Sequence, residues 1–360
     1  MDKNTGKDKN ENILVAMSGG VDSTVAAKLL IEQGYNVAGA TMILLPDDSE
    51  RVEKAKEIAE QMGIEFYVFD FVKEFEEDVI EYFVNSYLSG ETPNPCIVCN
   101  QKFKFGRFLQ KAEQLGFAKI ATGHYAGIAY SEESQRWLLQ RAENIKKDQS
   151  YFLYGMTQEQ LSKTLFPLNA IEKQDVRQSA YKSGFKNAGQ KDSQDICFVQ
   201  KMKYIEFIDD FLGKKGRKQI PGEFVDTCGN VLGTHKGIAG YTIGQRKGVG
   251  MSLGAGIPLY VAAKDAEKNR IIMGPDEMLF KERLTVKNPV FITVEKPEFE
   301  MRVTVKTRYN QKDTPALIKY DQEQDFVEVI FDERQRAVTP GQTAVFYDGE
   351  NVVGGGPIIG

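Results

Sequence analysis

The stretch that decides the fold is Ser18-Gly19-Gly20-Val21-Asp22-Ser23, which lies between an apolar run and an amphipathic one. Before it, residues 13–17 are continuously apolar, which is typical of a strand buried on both faces of a parallel sheet. After it, residues 23–34 carry apolar side chains at helical spacing and end at a glycine. The pattern therefore predicts a turn from the carboxyl end of a strand into the amino terminus of a helix.

Such a turn is suited to bind phosphate, because free backbone N–H groups and the positive end of the helix dipole meet there. Gly19 and Gly20 let the backbone approach an anion without an intervening Cβ, and Ser18 and Ser23 add hydroxyl donors. No lysine follows the second glycine, so the turn is not a Walker A loop. The alternative is a Gly/Ser-rich turn that binds nothing.

Composition limits the class of protein. The chain has 360 residues, 41% hydrophobic and 27% charged, and a net charge of −5. These values are ordinary for a globular protein of two or three domains, and no apolar run approaches the roughly 18 residues that span a bilayer. Residues 1–10 are polar and are expected to be a disordered start of a cytoplasmic protein, with no membrane partner. Four cysteines in such a chain do not make a disulfide scaffold.

Basic residues are concentrated in a few places despite the net negative charge. A basic surface on an acidic protein can still bind nucleic acid, since the local field acts within about 10 Å. The alternative is a set of solvated loops. The groups are Lys102, Lys104 and Arg107; Lys146 and Lys147; Lys214, Lys215, Arg217 and Lys218; and Arg246 and Lys247.

The pattern along the chain predicts three domains after the polar start. Residues 11–203 alternate strands and helices, which indicates an α/β domain with a doubly wound parallel sheet and ligands at the carboxyl ends of its strands. Residues 204–282 are glycine-rich with short strands and turns, typical of a small central domain. Residues 283–360 alternate with a period of two, which predicts a carboxyl-terminal antiparallel β-barrel.

The cysteines are candidates for chemistry. Cys96 and Cys99 follow two prolines, so we expect them in a loop that precedes a basic helix, where nearby lysines favour the thiolate. Cys197 ends the α/β region, and Cys228 is interpreted as structural. The residues leave three uses open: a zinc site, which is poorly supplied with ligands; a thiol pair that passes sulfur as a persulfide; and an iron–sulfur cluster on three thiols.

The glycine-rich turn resembles the PP-loop of the ATP pyrophosphatase superfamily. Together with Thr-Pro-Asn-Pro-x-x-x-Cys-Asn at 92–100 and Asp-Ser-x-x-Ile-Cys-Phe at 192–198, it resembles the bacterial tRNA-specific 2-thiouridylases. The likeness covers nearly the whole chain and implies an adenine nucleotide α-hydrolase-like fold. Other similar segments lie at 122–126, 147–153, 240–248, 306–309 and 337–342.

The resemblance implies an enzyme that uses ATP with Mg²⁺ to replace the C2 oxygen of the wobble uridine by sulfur in glutamate, glutamine and lysine tRNAs. ATP would adenylate that oxygen, releasing pyrophosphate and then AMP. Cys197 matches the persulfide carrier and Cys99 its partner thiol. The ATP site would comprise Ala16, Met17, Ser18, Gly19, Gly20, Val21, Asp22, Ser23, Met42 and Gly123.

The same resemblance implies two macromolecular partners. One is the anticodon arm of tRNA, and the other is a sulfur donor protein, either a cysteine desulfurase or a relay protein. The positions matching tRNA contacts are Asn94, Pro95, Cys96, His124, Lys147, Asp148, Gln149, Arg308, Tyr309 and Gln342.

One position departs from the family pattern. Many members carry an aspartate where this chain has Cys96, and a thiol cannot replace a carboxylate that is ionised at neutral pH. Cys96, Cys99 and Cys197 therefore also match the ligands of a [4Fe–4S] cluster. An alternative function for the whole chain is a PP-loop amide-forming ligase acting on a small carboxylate, which would need neither Cys99 nor Cys197.

Overall fold

The computed structural model describes residues 11–190, 195–199, 202–249, 258–297 and 300–359. Its first unit is a five-stranded parallel sheet in the order β3-β2-β1-β4-β7, which confirms the predicted fold class. The strands are β1 Asn12–Ala16, β2 Asn36–Ile43, β3 Phe66–Asp70, β4 Lys119–Ala121 and β7 Thr164–Leu165.

The apolar run in β1 is continuous because both faces of this sheet are covered. Ile13 and Val15 face a core that includes Val25 of the following helix, whereas Leu14 faces the opposite core, which includes Phe75 and Phe103. All six side chains are almost completely buried. This alternation explains why the strand has no polar face. The strand order places β1 in the middle of the sheet, so its carboxyl end lies at the centre of that sheet edge.

Helices cover both faces of the sheet. Two of the helical runs are interrupted by π-helical segments, Glu76–Ile80 and Asn100–Arg107. The α-helices are α1 Val21–Glu32, α2 Ser49–Met62, α3 Val72–Phe75, α4 Glu81–Leu88, α5 Pro95–Cys99, α6 Phe108–Gln114, α7 Gln158–Ser162, α8 Lys173–Lys182 and α9 Tyr204–Lys214, with 3₁₀ turns at Ser150–Phe152, Ile238–Gly240 and Asp276–Leu279.

A four-stranded mixed sheet follows α9, in the order β10-β11-β8-β9. It packs around a small core that includes Phe224, Val261 and Ile271. This small core accounts for the glycine-rich, turn-rich sequence of the region. The strands are β8 Gly222–Val225, β9 Val231–His235, β10 Tyr260–Asp265 and β11 Arg270–Gly274.

The carboxyl-terminal strands form an antiparallel barrel, as predicted. The path β12-β16-β15-β14-β17-β18 closes through a bridge between Val286 and Ile358. The hairpin β5–β6 from the α/β region adds to the open side of β18 by pairing Gln140 with Asn351, which the sequence did not predict. The strands are β5 Gly127–Ser131, β6 Arg136–Gln140, β12 Phe280–Lys287, β13 Val290–Phe291, β14 Met301–Lys306, β15 Thr314–Asp321, β16 Phe326–Arg336, β17 Thr343–Asp348 and β18 Asn351–Pro357.

Within the described ranges, every helix is too short or too polar to cross a lipid bilayer. The predicted disordered segment at residues 1–10, and Asp192, Ser193 and Gln194 of the Cys197 motif, lie outside the described residues.

Candidate active site

The glycine-rich turn joins β1 to α1, as the sequence predicts. Gly19 has φ +75°, a left-handed conformation that favours glycine, and a Cβ there would lie 3.3 Å from the carbonyl oxygen of Arg51. The hydroxyl of Ser23 accepts from the Ser18 N–H (3.2 Å) and donates to the carbonyl of Gly20 (3.1 Å). The serines therefore shape the turn, and the turn leads into a helix amino terminus suited to an anion.

Gly123 and Met42, predicted beside the adenosine, lie at the same edge of the sheet. A Cβ on Gly123 would lie 2.7 Å from the carbonyl carbon of Asp22 and 2.7 Å from the nitrogen of Ser23. The backbone after β4 therefore closes directly on the first turn of α1, and only glycine fits there. The carbonyl oxygen of Met42 accepts a hydrogen bond from the guanidinium of Arg51.

Lys173 is a site residue that the sequence analysis missed. It begins α8, and its ammonium lies 2.7 Å and 2.8 Å from the two carboxylate oxygens of Asp22. The hydroxyl of Tyr125 donates to the same carboxylate at 2.9 Å. The loop carboxylate is thus held from two other elements. Because 151 residues separate Lys173 from Asp22, no local pattern could have indicated this pair.

Asn187 is a second missed residue. Its amide nitrogen donates to the carbonyl oxygen of Gly19 and to the hydroxyl of Thr24, both at 2.9 Å. The side chain is almost completely buried, at 9% exposure. Asn187 therefore holds the glycine turn and the first turn of α1 in one arrangement, and it does so from the segment that precedes Cys197.

The two cysteines of the CxxC sequence lie in helix α5 rather than in the predicted loop. Pro95 occupies the first turn of this helix, where its missing N–H costs no hydrogen bond, so a proline here starts the helix instead of preventing it. Cys96 and Cys99 are consequently one turn apart on one helix face. Cys96 and Cys197 are exposed, and Cys99 is partly buried.

The expectation that nearby lysines favour the thiolates of Cys96 and Cys99 is wrong, because both pKa values are raised. Desolvation by the surrounding protein is the largest influence on all three, and it raises the pKa of Cys96 and Cys197 and raises that of Cys99 to about 12. The positive charge of Lys104 lowers each of these pKa values, but by less. Desolvation wins because a small anion loses more hydration than one nearby ammonium restores.

The same electrostatic couplings show that the thiols lie near one another. The charge of Cys197 acts on Cys99, and that of Cys96 acts on both. Among the residues that the structure describes, however, no group of three or more His, Cys, Asp or Glu side chains is arranged to hold a metal ion. The three thiols as they stand here therefore do not fit a cluster. Cys228 is exposed in a turn.

Lys104 connects the thiols to His124. Its ammonium donates to Nε2 of His124 at 3.3 Å, while Nδ1 lies 2.6 Å from the hydroxyl of Thr122. Burial, together with the charge of Lys104, holds the pKa of His124 well below its usual value. The imidazole is therefore neutral, with its proton on Nδ1, because Nε2 has to accept from the ammonium.

Comparison with known proteins agrees with this arrangement. Three family models match consecutive parts of the chain: a tRNA methyl transferase HUP domain at residues 11–201, a tRNA methyl transferase PRC-barrel domain at 209–275, and an aminomethyltransferase beta-barrel domain at 281–358.

Curated relatives match along almost their full length. A tRNA-specific 2-thiouridylase of Acetivibrio thermocellus is 46% identical over 97% of this chain and 99% of the relative. Those of Clostridioides difficile and Halothermothrix orenii are also 46% identical over 97% of this chain, covering 98% and 99% of the relative. The chain belongs to the tRNA-specific 2-thiouridylase family.

Several of the positions that match tRNA contacts in the 2-thiouridylase family make internal hydrogen bonds here. Asp148 is buried and accepts from the backbone of Ala142 and from Ser150, so it holds its own loop. The side-chain oxygen of Gln149 accepts from the N–H of Tyr125 at 3.0 Å. This loop is thereby tied to the residue that binds Asp22.

The barrel positions of the 2-thiouridylase pattern lie near that loop. The Arg308 guanidinium donates to the carbonyl of Ala337 and to the hydroxyl of Thr339. The ring of Tyr309 lies 4.4 Å from that of Phe152, centroid to centroid. The structure therefore brings the 147–152 loop and the barrel together, although they are about 160 residues apart in sequence.

The predicted basic groups are only partly available to a polyanion. Lys102 and Arg107 both pair with Asp78, and Lys215 pairs with Glu76 and Glu81. Lys104 differs from its neighbours, since its resolved partner among the described residues is a neutral imidazole rather than a carboxylate. Its positive charge acts on all three thiols.

Proposed function

We propose that this protein catalyses the ATP-dependent 2-thiolation of the wobble uridine in glutamate, glutamine and lysine tRNAs. The observation that carries the proposal is the position of Arg51. Its carbonyl borders Gly19 of the phosphate turn, and its charge offsets a small part of the desolvation that raises the pKa of Cys99 and Cys197. The glycine turn and the two thiols thus both lie within the influence of one residue, which supports a reaction that couples nucleotide activation to sulfur transfer.

The first chemical step is activation of the base. The uridine C2 oxygen attacks the α-phosphorus of ATP, a P–O bond forms, and the bond to pyrophosphate breaks. The backbone N–H groups at the amino terminus of α1 would bind the phosphates. Asp22 offers the hard oxygen donors that suit Mg²⁺, and that ion would neutralise phosphate charge. Adenylation gives C2 of the uridine a good leaving group, since AMP departs readily and hydroxide does not.

The second step transfers sulfur. A sulfur donor protein loads Cys197 as a persulfide, and the outer sulfur attacks C2 while AMP departs. Cys99 then attacks the inner sulfur of Cys197, which breaks the S–S bond to the base and releases 2-thiouridine. The product enzyme carries a Cys99–Cys197 disulfide, so each turnover consumes a dithiol reductant. Lys104 supports both anionic sulfur species by its charge.

An iron–sulfur cluster on Cys96, Cys99 and Cys197 is the competing hypothesis for the sulfur step. The described thiols would have to move to form a cluster site. Cys96 distinguishes the two routes, because the persulfide route uses only Cys99 and Cys197. The amide-forming ligase alternative has no supporting observation now that the family is known.

Binding of tRNA is proposed to involve the surface where the barrel meets the 147–152 loop and helix α5. Arg308, Tyr309 and Gln342 belong to the barrel side, and Asn94 and His124 belong to the α/β side. The target base lies in the anticodon loop, so little pairing energy opposes its exposure. Because tRNA is the substrate, we assign the reaction to the cytoplasm.

The test is thiolation of unmodified glutamate tRNA with ATP, a desulfurase and a dithiol reductant, after anaerobic purification. Cys99→Ser and Cys197→Ser should each abolish 2-thiouridine, whereas Cys228→Ser should retain the wild-type rate. Cys96→Ala should remain active and the protein should contain no iron. About four irons per chain with an inactive Cys96→Ala enzyme would overturn the persulfide route. Activity in both serine variants would overturn the role of the thiols.

A further inference from the structure

The phosphate turn of this protein has no lysine of its own, yet an ammonium group lies against it. Lys173 Nζ is within 2.8 Å of both carboxylate oxygens of Asp22, and the Lys173 side chain is only 12% exposed. The aromatic ring of Tyr125 lies 5.9 Å from the same nitrogen. A long cationic side chain is thus enclosed and held against the Asp22 carboxylate, at the entropic cost that burial of a lysine carries.

That place is the phosphate end of α1. Asp22 is the second residue of the helix, two positions after Gly20, at a helix amino terminus of the kind that binds anions. In Walker A loops a lysine inside the loop contacts the β- and γ-phosphates. Here the corresponding positive charge would come from another helix, α8, which packs against α1.

We infer that Lys173 is the phosphate-binding lysine of this site: it pairs with Asp22 when the site is empty and contacts the pyrophosphate part of ATP when the nucleotide binds. The exchange is reasonable electrostatically, because a triphosphate brings several negative charges to a turn that already contains a carboxylate. With the ammonium on the phosphates, the Asp22 oxygens would be available to hold a magnesium ion. The inference rests on the proposed function only in taking ATP as the ligand.

The experiment is calorimetric titration of the full-length protein without tRNA, using ATP, inorganic pyrophosphate and adenosine as probes. Lys173→Met should lower the affinity for ATP and for pyrophosphate at least about 10-fold, as expected for loss of a charge-assisted contact. It should change the affinity for adenosine by less than about threefold. Lys173→Arg should restore most of the loss. Lys182→Met is the matched control, since it removes a lysine from the far end of the same helix, about 14 Å away.

A double-mutant cycle separates phosphate contact from simple neutralisation of Asp22. If Lys173 only neutralises that carboxylate, Lys173→Met in an Asp22→Asn background will cause no further loss of pyrophosphate affinity. The inference requires a further loss of about 10-fold, and equal affinities of the single and double variants would overturn it. Failure of the proposed function looks different: the wild type would bind ATP yet form no thiouridine.

Discussion

Gln342 of the barrel donates a 2.8 Å hydrogen bond from its amide nitrogen to the carbonyl oxygen of Thr92. In return, the Thr92 N–H donates to the carbonyl of Pro340 at 2.9 Å. Gly341 has φ +85°, and a Cβ there would lie 2.8 Å from the Thr92 nitrogen. The barrel is therefore fastened to the segment that leads into the cysteine helix α5, so a ligand held by the barrel can influence where Cys96 lies.

Loss of the Gln342 amide should reduce thiolation without affecting the nucleotide. Gln342→Ala removes one hydrogen bond, worth about 1 kcal/mol, and should slow 2-thiouridine formation about fivefold while ATP affinity stays unchanged. Gln322→Ala, in an exposed barrel turn, is the control and should behave as the wild type. Equal thiolation rates for the two variants would show that the connection to Thr92 has no functional role.

A methyl group at Gly123 should disturb the phosphate turn. The added carbon would lie 2.7 Å from backbone atoms of Asp22 and Ser23, and backbone cannot move aside as a flexible side chain does. Gly123→Ala should therefore weaken ATP binding on the order of 10-fold, measured by calorimetry, a loss in the range that core overpacking causes. Gly213→Ala is the matched control: it lies in α9 with no atom within 4 Å, and should be neutral or slightly stabilising.

The reactivity of the thiols should depend on pH in a defined direction. With the pKa of Cys99 raised to about 12, its thiolate is scarce at pH 8, and alkylation by iodoacetamide should be roughly a thousandfold slower than for an unperturbed cysteine and still rising at pH 10. Lys104→Met should slow it further, because the charge that lowers the pKa is lost.

Lys102→Met provides the comparison for that experiment. Lys102 lies on the same π-helical segment but pairs with Asp78, and its charge is not among those acting on the thiols. Its removal should leave the alkylation rate of Cys99 unchanged. Fast alkylation of Cys99 at pH 7, or equal effects of the two lysine variants, would contradict the electrostatic account of the site.

Phe103 should matter for stability rather than for stacking on a base. It is fully buried, with its ring centroid 5.4 Å from that of Phe75 and 6.1 Å from that of Phe71. Phe103→Ala should lower the free energy of unfolding by about 3–5 kcal/mol, measured by urea denaturation. A stable variant with weakened tRNA binding would instead indicate that the ring is reached by RNA.

The local patterns of the sequence were sufficient for much of the fold. The apolar run of β1, the glycine turn and α1 are confirmed, because strand burial, turn conformation and helix start all depend on neighbouring residues. Helix α5 was predicted wrongly as a loop. Proline usually breaks a helix, but Pro95 lies in the first turn of α5, where it is tolerated. The prediction that lysines favour the thiolates was wrong for a related reason, since desolvation depends on atoms from distant parts of the chain.

By itself, the sequence determined the strand–turn–helix unit, the order of α/β, central and barrel regions, and the residues on which the family likeness rests. Only the tertiary structure decided which groups meet. Lys173 and Asn187 reach the phosphate turn from more than 150 residues away, Lys104 faces the thiols, and Gln342 binds Thr92 across 250 residues. The physical reason is that charge pairing, desolvation and long-range hydrogen bonds depend on distance in space, and chain separation does not encode that distance.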